Sequence, residues 1–430
     1  MSRRAQKQSR KQVAPTQDGR SILREMITPI VVGMMSAKQT LIGWVHQIGL
    51  SALEEMFRAD AEQLAGPKGK HRRDRQCHRW GTAGARLAFG GRNITVNRPR
   101  VRTPSGRELA LPTVAQFQAT DPLSERVVER LLLGVSTRGY EASLERPVPA
   151  VKSRGASKSA ASRRFIAGTR GRLAAFLARA LDEVAIVALM LDGLEVAGNT
   201  VVVALGISAT GEKVPLGLWL GSTENATICT ALVQDLLARG LRVEGRLLCI
   251  VDGGKGIRKA LVDVFGDRAV IQRCQLHKRR NIAGHLPKNR QRHVDKTLRE
   301  AYGSDSADTA RKRLRVLISW LERNGHEEAA GSLREGIEET LTVLKLNLPP
   351  TLRRSLATTN AIENLMGSIR IVTRNVKRWR GPEMVRRWTA LGVTKAEQRF
   401  RRIKGHRDLP VLVQALQLES TLIDNHDVAA

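Results

Sequence analysis

The rhythm of apolar and polar positions changes along this chain, and each change predicts a different kind of structure. Between residues 181 and 275 it is β-rich. EVAIVALML, NTVVVALGI and KVPLGLWLG are three apolar, β-branched runs, with short turns at Val196 to Asn199 and Thr210 to Glu212. Connections that short predict antiparallel neighbours. TENATICTALVQDLLARGL then takes up helical periodicity, with Thr223 or Asn225 as its cap and Gly240 as its stop. RLLCIVD reads as a fourth strand, KGIRKALVDVF as a helix and AVIQRC as a short fifth strand.

Three antiparallel strands, helix, strand, helix, strand is the order of a ribonuclease H-like core. The predicted fold class is therefore α/β: a mixed-sheet catalytic core over 181–275, interrupted by an all-helical insertion over 276–350. The core resumes over 351–405 as long helix broken at Gly381-Pro382, and 406–430 is a C-terminal tail. Upstream, 1–20 reads as a disordered basic arm. The 21–120 region pairs helical patterns (Leu50, Leu53, Met56, Phe57) with short strands in RNITVNRPRVRTPSGRELALPT, turning at Pro104-Ser105-Gly106. The 121–180 segment suggests a DNA-binding helix-turn-helix: one helix ending near Gly134, a second capped by Ser136, and a third carrying Lys158, Arg163 and Arg164.

Charge changes the picture more than composition does. In 430 residues, 72 Lys+Arg oppose 41 Asp+Glu, a net charge of +31. An excess of that size predicts phosphate-backbone binding, so double-stranded DNA is the expected partner. The length suggests about three domains at ~150 residues each. No apolar stretch approaches the ~20 residues that span a bilayer, and the basic N-terminus lacks a signal-peptide core. Cys77, Cys229, Cys249 and Cys274 form no CxxC pair. Reduced thiols, a cytoplasmic location, no membrane partner and no small-molecule substrate are expected. His71, Cys77 and His78 fit no closed zinc pattern.

Three acids stand out against this basic background. Asp192 and Asp252 end apolar runs, on what the pattern makes adjacent central strands, and Glu363 lies in TTNAIENLMGSIR, which reads as a helix. Each has an ordinary alternative, the aspartates as turn formers and the glutamate as a solvated helix face. Together they form a set of hard oxygen ligands suited to Mg²⁺, with Mn²⁺ as a substitute. Two such metals run in-line displacement at phosphorus. Between the last two acids lies QRCQLHKRRNI, where the Cys274 and His277 spacing puts both on one helix face. From Arg273 to Arg292 there are seven Lys/Arg and no acid, so Lys278, Arg279 and Arg280 read as a phosphate-binding surface. Arg370, Arg374, Lys377 and Arg378 would share one side of the helix beyond Glu363. Trp379 and Trp388 are read as core residues before base-stacking ones.

The blocks LDGLEV, CIVDGGKGIRKAL, QRCQLHKRRNI and TTNAIENLMGSIR, in this order, resemble those of the Mutator-type family of bacterial insertion-sequence transposases, over about residues 90 to 400. RNITVNRPRVRTPSGRELALP and LLLGVSTRGYEASLE also look like blocks of that family's N-terminal part. The resemblance implies a DDE triad, carried onto Asp192, Asp252 and Glu363, and a helical insertion before the glutamate. It also implies recognition of terminal inverted repeats by the N-terminal part. The expected reaction frees a 3′-OH at the element end by metal-dependent hydrolysis and joins it to target DNA. His277 and Lys278 would steady the scissile phosphate, and a homodimer or larger assembly would hold both ends. Three readings compete: a nuclease or junction resolvase of the same fold, a transposase-derived DNA-binding regulator, and a basic RNA-binding scaffold. The last leaves the acids unexplained.

Overall fold

A computed structural model describes residues 41–70, 76–119, 122–144, 152–221, 223, 225–243 and 245–417. The basic arm, the C-terminal tail from 418 and His71 lie outside the described residues. The chain divides into two compact units between Gly168 and Thr169.

In the first unit, helix α1 (Leu41–Ala65) buries Leu53, Phe57, Ala61 and Ala65, a four-residue spacing that keeps them on one face. That face meets a small sheet. Strands β1 (His78–Phe89) and β2 (Arg92–Arg102) form a hairpin. Its two-residue turn is Gly90-Gly91, with φ of +58° and +83°, the geometry that splays neither strand. Ala85 sits opposite Val96 and Leu87 opposite Ile94, and all four are buried against α1. β3 (Glu108–Leu109) returns on β2 through the expected turn, closed by Gly106 N–H donating to the Thr103 carbonyl at 2.9 Å. Glu108 accepts from Arg98 (2.9 Å) and Arg100 (2.6 Å) of β2, and these bonds hold its carboxyl down to about 2. Strand β1 has no counterpart in the sequence expectation: its glycines and arginines hide the alternation.

Helix α2 (Pro112–Ala119) and helix α3 (Pro122–Leu132) follow. The expected second helix after Ser136 is not there among the described residues. A single 3₁₀ turn (Glu141–Ser143) stands in its place, and the Ser136 hydroxyl caps only the turn before it, accepting from Gly139 N–H at 2.9 Å. Tyr140, fully buried, donates its hydroxyl to the Gly91 carbonyl and pins this segment to the hairpin turn. A two-residue strand, β4 (Ser153–Arg154), then pairs with β2. The expectation of a helix capped by Ser136 is corrected accordingly; residues 145–151 lie outside the described residues. The long third helix is present as α4 (Lys158–Leu177), within which the division between units falls.

The second unit is built on a five-stranded mixed sheet. β5 (Ile186–Val196), β6 (Asn199–Ser208) and β7 (Lys213–Gly221) form an antiparallel meander. β8 (Leu247–Val251) and β9 (Ala269–Arg273) add in parallel, giving the order β7-β6-β5-β8-β9. Helix α5 (Ala226–Ala238), capped by Asn225 and stopped at Gly240, and helix α6 (Lys255–Phe265) cover one face. The residues that meet them alternate: Leu189 and Leu191 on β5, Leu247, Cys249 and Val251 on β8. Ala188 and Met190, with Leu248 and Ile250, point to the other face.

Between β9 and the last helices the described chain is entirely helical. Helices α7 (Gln275–Gly284), α8 (Lys288–Tyr302), α9 (Ala307–Arg323) and α10 (Glu327–Arg334) enclose a core of their own, with Ile282, Leu298, Leu314, Leu321 and Leu333 buried together. Short helices α11 (Ile337–Thr340), α12 (Thr342–Lys345) and α13 (Pro350–Leu356) return the chain to the sheet. There α14 (Asn360–Thr373) and α15 (Pro382–Glu397) cover the second face through Ile362, Leu365, Met366, Ile369, Val385 and Val393. The two helices approach closely at Gly392, where an added Cβ would stand 2.9 Å from the Ile369 Cα.

Candidate active site

Two strand periodicities place the aspartates. In β5, Ala188, Met190 and Leu194 face the α14 side, so Asp192 belongs to the same series. In β8, Leu248 and Ile250 face that side, and Asp252 is the next residue in step. β5 and β8 are parallel neighbours, and Met190 pairs with Ile250. Continuing that register by two residues sets Asp192 opposite Asp252. Asp192 does not end its strand, as the sequence suggested: the strand runs on to Val196, because β6 pairs with it along its full length, Asp192 opposite Val203. Asp252 does follow the last residue of its strand, and its Oδ1 accepts from Gly254 N–H at 2.8 Å, opening α6. Gly253 has φ of +113°, and a Cβ there would stand 2.6 Å from Arg273 Nε, so glycine is required where the guanidinium passes.

Glu363 sits in the first turn of α14, on the helix that packs on β5, with its side chain 30% exposed. A compact hydrogen-bonded cluster holds it. Thr359 is fully buried at the start of α14, and its Oγ1 donates to Glu363 Oε1 at 3.0 Å. The same hydroxyl also lies within donating distance of Cys274 Sγ, at 3.3 Å, and 3.3 Å from His277 Nδ1, so its single proton serves both the carboxylate and the sulfur. His277 Nε2 lies 3.7 Å from Glu363 Oε1. Cys274 caps α7: its Sγ accepts from the backbone N–H of His277 (3.5 Å) and of Thr359 (3.4 Å). Burial pushes the thiol up, but the bonds from His277 and Thr359 outweigh it and hold the group below its usual value. His277 is raised, first by its bond with Cys274, against burial, with the charges of Glu363 and Asp252 adding to the effect.

Donor atoms of Cys274, His277 and Glu363 lie within 4.8 Å of one another. The sulfur, however, is buried and already accepts two backbone N–H groups, so the trio is a clamp on the glutamate. The oxygen donors Asp192, Asp252 and Glu363 are the groups suited to a hard cation. Thr359 was missed by the sequence reading. The available signal was a threonine one helical turn before the acid, at a helix start.

The basic residues separate into two sets. Lys278 does not reach the surface, which corrects its reading as a phosphate contact. It is fully buried, donates Nζ to the Ser332 carbonyl at 2.5 Å and lies 3.7 Å from Glu335. Burial, with the charge of Arg273 adding, holds its ammonium down to about 8. Arg279 is paired with Asp295 at 2.6 Å, while Arg280 is exposed. Beyond Glu363, Arg370, Arg374, Lys377 and Arg378 are all exposed. They do not share one helix face, because α14 ends at Thr373 and Lys377 and Arg378 lie in the loop before α15. In the first unit, Lys158 and Arg163 are exposed, whereas Arg164 turns back to the Gly155 carbonyl. Trp388 is buried and Trp379 packs against the core of the second unit, as expected.

The structure is thus an α/β protein with Asp192 on β5, Asp252 just after the neighbouring β8 and Glu363 on the helix that packs on β5, in a chain of strongly basic character. The family model described as "Transposase, Mutator family" matches residues 32–402, and the chain belongs to that family. Among its relatives, a transposase for insertion sequence element ISRM5 of Rhizobium meliloti (strain 1021) is 27% identical over 339 residues, covering 76% of this chain and 81% of the relative. A probable insertion-sequence transposase of Corynebacterium diphtheriae is 30% identical over 184 residues, 43% of this chain and 52% of the relative. The transposase for ISRM3 of Rhizobium meliloti (strain 1021) is 29% identical over 207 residues, 48% of this chain and 50% of the relative. In the last two comparisons the chain spans about half the length of the relative. Among the described residues, no helix is long and apolar enough to cross a membrane.

Proposed function

We propose that this chain is an insertion-sequence transposase that cuts element ends and joins them to target DNA, using Asp192, Asp252 and Glu363 on a ribonuclease H-like core. The observation that supports the reading is the parity and register of β5 and β8: continued two residues beyond the Met190–Ile250 pair, it brings Asp192 opposite Asp252 on the face covered by the helix of Glu363. The strand order supports the fold assignment: three antiparallel strands, then two parallel ones on the β5 side.

The three carboxylates fit Mg²⁺, or Mn²⁺, because they are hard oxygen donors and the one soft donor nearby, Cys274, is engaged in capping. Bound there, the metal would activate water and stabilise the leaving oxygen in an in-line displacement at phosphorus. Hydrolysis breaks the P–O bond at the element end and frees a 3′-OH. In the joining step that oxygen forms a new P–O bond to a target phosphate as the P–O3′ bond of the target strand breaks, leaving a 3′-OH on the target. Thr359 and His277 hold the Glu363 carboxylate in one orientation throughout. The exposed Arg280 and the cluster from Arg370 to Arg378 bind the DNA backbone, with Lys158 and Arg163 engaging the terminal inverted repeats. Two ends must be joined together, so the working form is a homodimer or larger assembly.

The test is a strand-transfer assay in Mg²⁺ on labelled DNA carrying the element's ends. Wild type should form joined product, and Asp252→Asn should bind the same DNA without joining it. End-specific binding with no cleavage by wild type would replace this reading with that of a DNA-binding regulator.

A further inference from the structure

On the side of α14 that turns away from Glu363 lies a cavity of about 310 Å³. Asn364, Ser368 and Ile371 line it from one stripe of that helix, about one residue's rotation round from the acid. Its wall is apolar and partly aromatic. Ile371 is 53% exposed, and Phe400 packs against the core with Lys213 Nζ 5.7 Å from its ring centroid. Its rim is cationic: Lys213, Lys395, Arg399 and Arg401 all contribute, and no acid does. The neighbouring acids are already engaged, Glu212 with Arg402 at 3.0 Å and Glu397 with Arg179 at 2.7 Å. None of the four rim cations forms an ion pair among the described residues.

A partly aromatic, apolar wall beside cations that form no ion pair among the described residues is complementary to a flat heterocycle carrying phosphates. Aromatic stacking and backbone cations are the two features by which proteins hold unpaired nucleotides. The volume falls within the size range of small-ligand sites. Nothing in the proposed cleavage and joining chemistry uses this cavity. We propose that it is a subsite for one unstacked nucleotide of a DNA strand, its base against Phe400 and Ile371 and its flanking phosphates on Lys395, Arg399 and Arg401. This rests on the transposase reading and extends it: DNA at the site would include a single-stranded segment, bound one helix face away from the acids.

The test uses the full chain and two labelled duplexes of the same sequence, one blunt and one with a short single-stranded extension, with free dAMP as competitor. Wild type should bind the extended duplex at least about fivefold tighter, the low end of base–aromatic stacking. Ile371→Glu, at an exposed position the fold tolerates, should bring the extended duplex down to the blunt one, and Arg399→Ala should weaken the preference. Phe400→Ala is the less secure variant because that ring also packs on the core; its melting temperature should be measured alongside. Equal affinity of wild type for both duplexes, or a preference that survives Ile371→Glu, overturns the assignment. So does displacement of the extended duplex by free dAMP at matched concentration, which makes the cavity a mononucleotide site. A protein that binds neither duplex and joins no ends would remove the transposase reading itself, a distinct outcome from losing the preference alone.

Discussion

Two basic runs that look alike in the sequence part company in the folded chain. In the run from Arg273 to Arg292, three of the seven cations turn inward, while Arg280, Lys288, Arg290 and Arg292 are exposed. Arg273 meets Glu335 at 3.2 Å, Lys278 meets the Ser332 carbonyl and Glu335, and Arg279 meets Asp295. The run from Arg370 to Arg380 is exposed at Arg370, Arg374, Lys377, Arg378 and Arg380, with no ion pair among the described residues. The difference lies in the neighbours. The first run is the hinge between the sheet and the helical insertion, and the insertion supplies acids and carbonyls to receive it. The second begins in the last turn of α14 and continues into the loop beyond it, where no acid among the described residues pairs with it. A charge run therefore marks a nucleic-acid surface only when the fold leaves it uncompensated.

The largest effect is expected at the exposed run. Replacing Arg370, Arg374, Lys377 and Arg378 together by Ala should lower DNA affinity on the order of a hundredfold near physiological salt. The log–log salt slope should become shallower by about four, and the melting temperature should stay put. Unchanged binding would show that this surface does not carry DNA. At the inward run the loss should appear in stability. Lys278→Ala leaves the Ser332 carbonyl without its buried partner, while Glu335 keeps Arg273, and should cost about 2 kcal/mol in urea unfolding.

The same lysine gives a pH signature. Its ammonium is held at about 8 in the folded chain against 10.5 when free. Between those values the unfolded chain binds the extra proton, so stability should rise with pH from about 8 to 10.5. The gain is absent below that window and complete above it, up to about 3 kcal/mol. Lys278→Met should lack this increment relative to wild type in paired unfolding curves. The smallest effect belongs to Arg279→Ala: its pair with Asp295 is partly exposed and Arg299 also holds that acid, so about 0.5 kcal/mol or less is expected.

Much of the sheet was legible because its strands are buried on both faces and β-branched: the meander, β8 and β9 all fall where the runs of Val, Ile and Leu lie. The acids were legible as residue types out of place in those runs. That Asp192 sits within its strand was not, because Asp-Gly has the same letters as a turn, and only pairing with β6 decides. Burial of Lys278 was hidden for a similar reason: its partners Ser332 and Glu335 lie more than fifty residues away in sequence. Strand β1 was missed because Gly81, Gly84 and its arginines blur the period-two pattern, and the helix expected after Ser136 because Tyr140 is tied to Gly91 instead. The clamp of Cys274, His277 and Thr359 on Glu363 joins residues 85 positions apart, which spacing along one helix does not reveal.

The claim that the acids hold a catalytic cation is tested most directly by a metal switch at Asp192. Thiolates bind the softer Mn²⁺ better than Mg²⁺. Strand transfer by Asp192→Cys should be lost in Mg²⁺ and regained in part in Mn²⁺, while wild type works in both. Equal activity of the variant in the two metals would contradict a cation at this carboxylate, and with it the proposed chemistry.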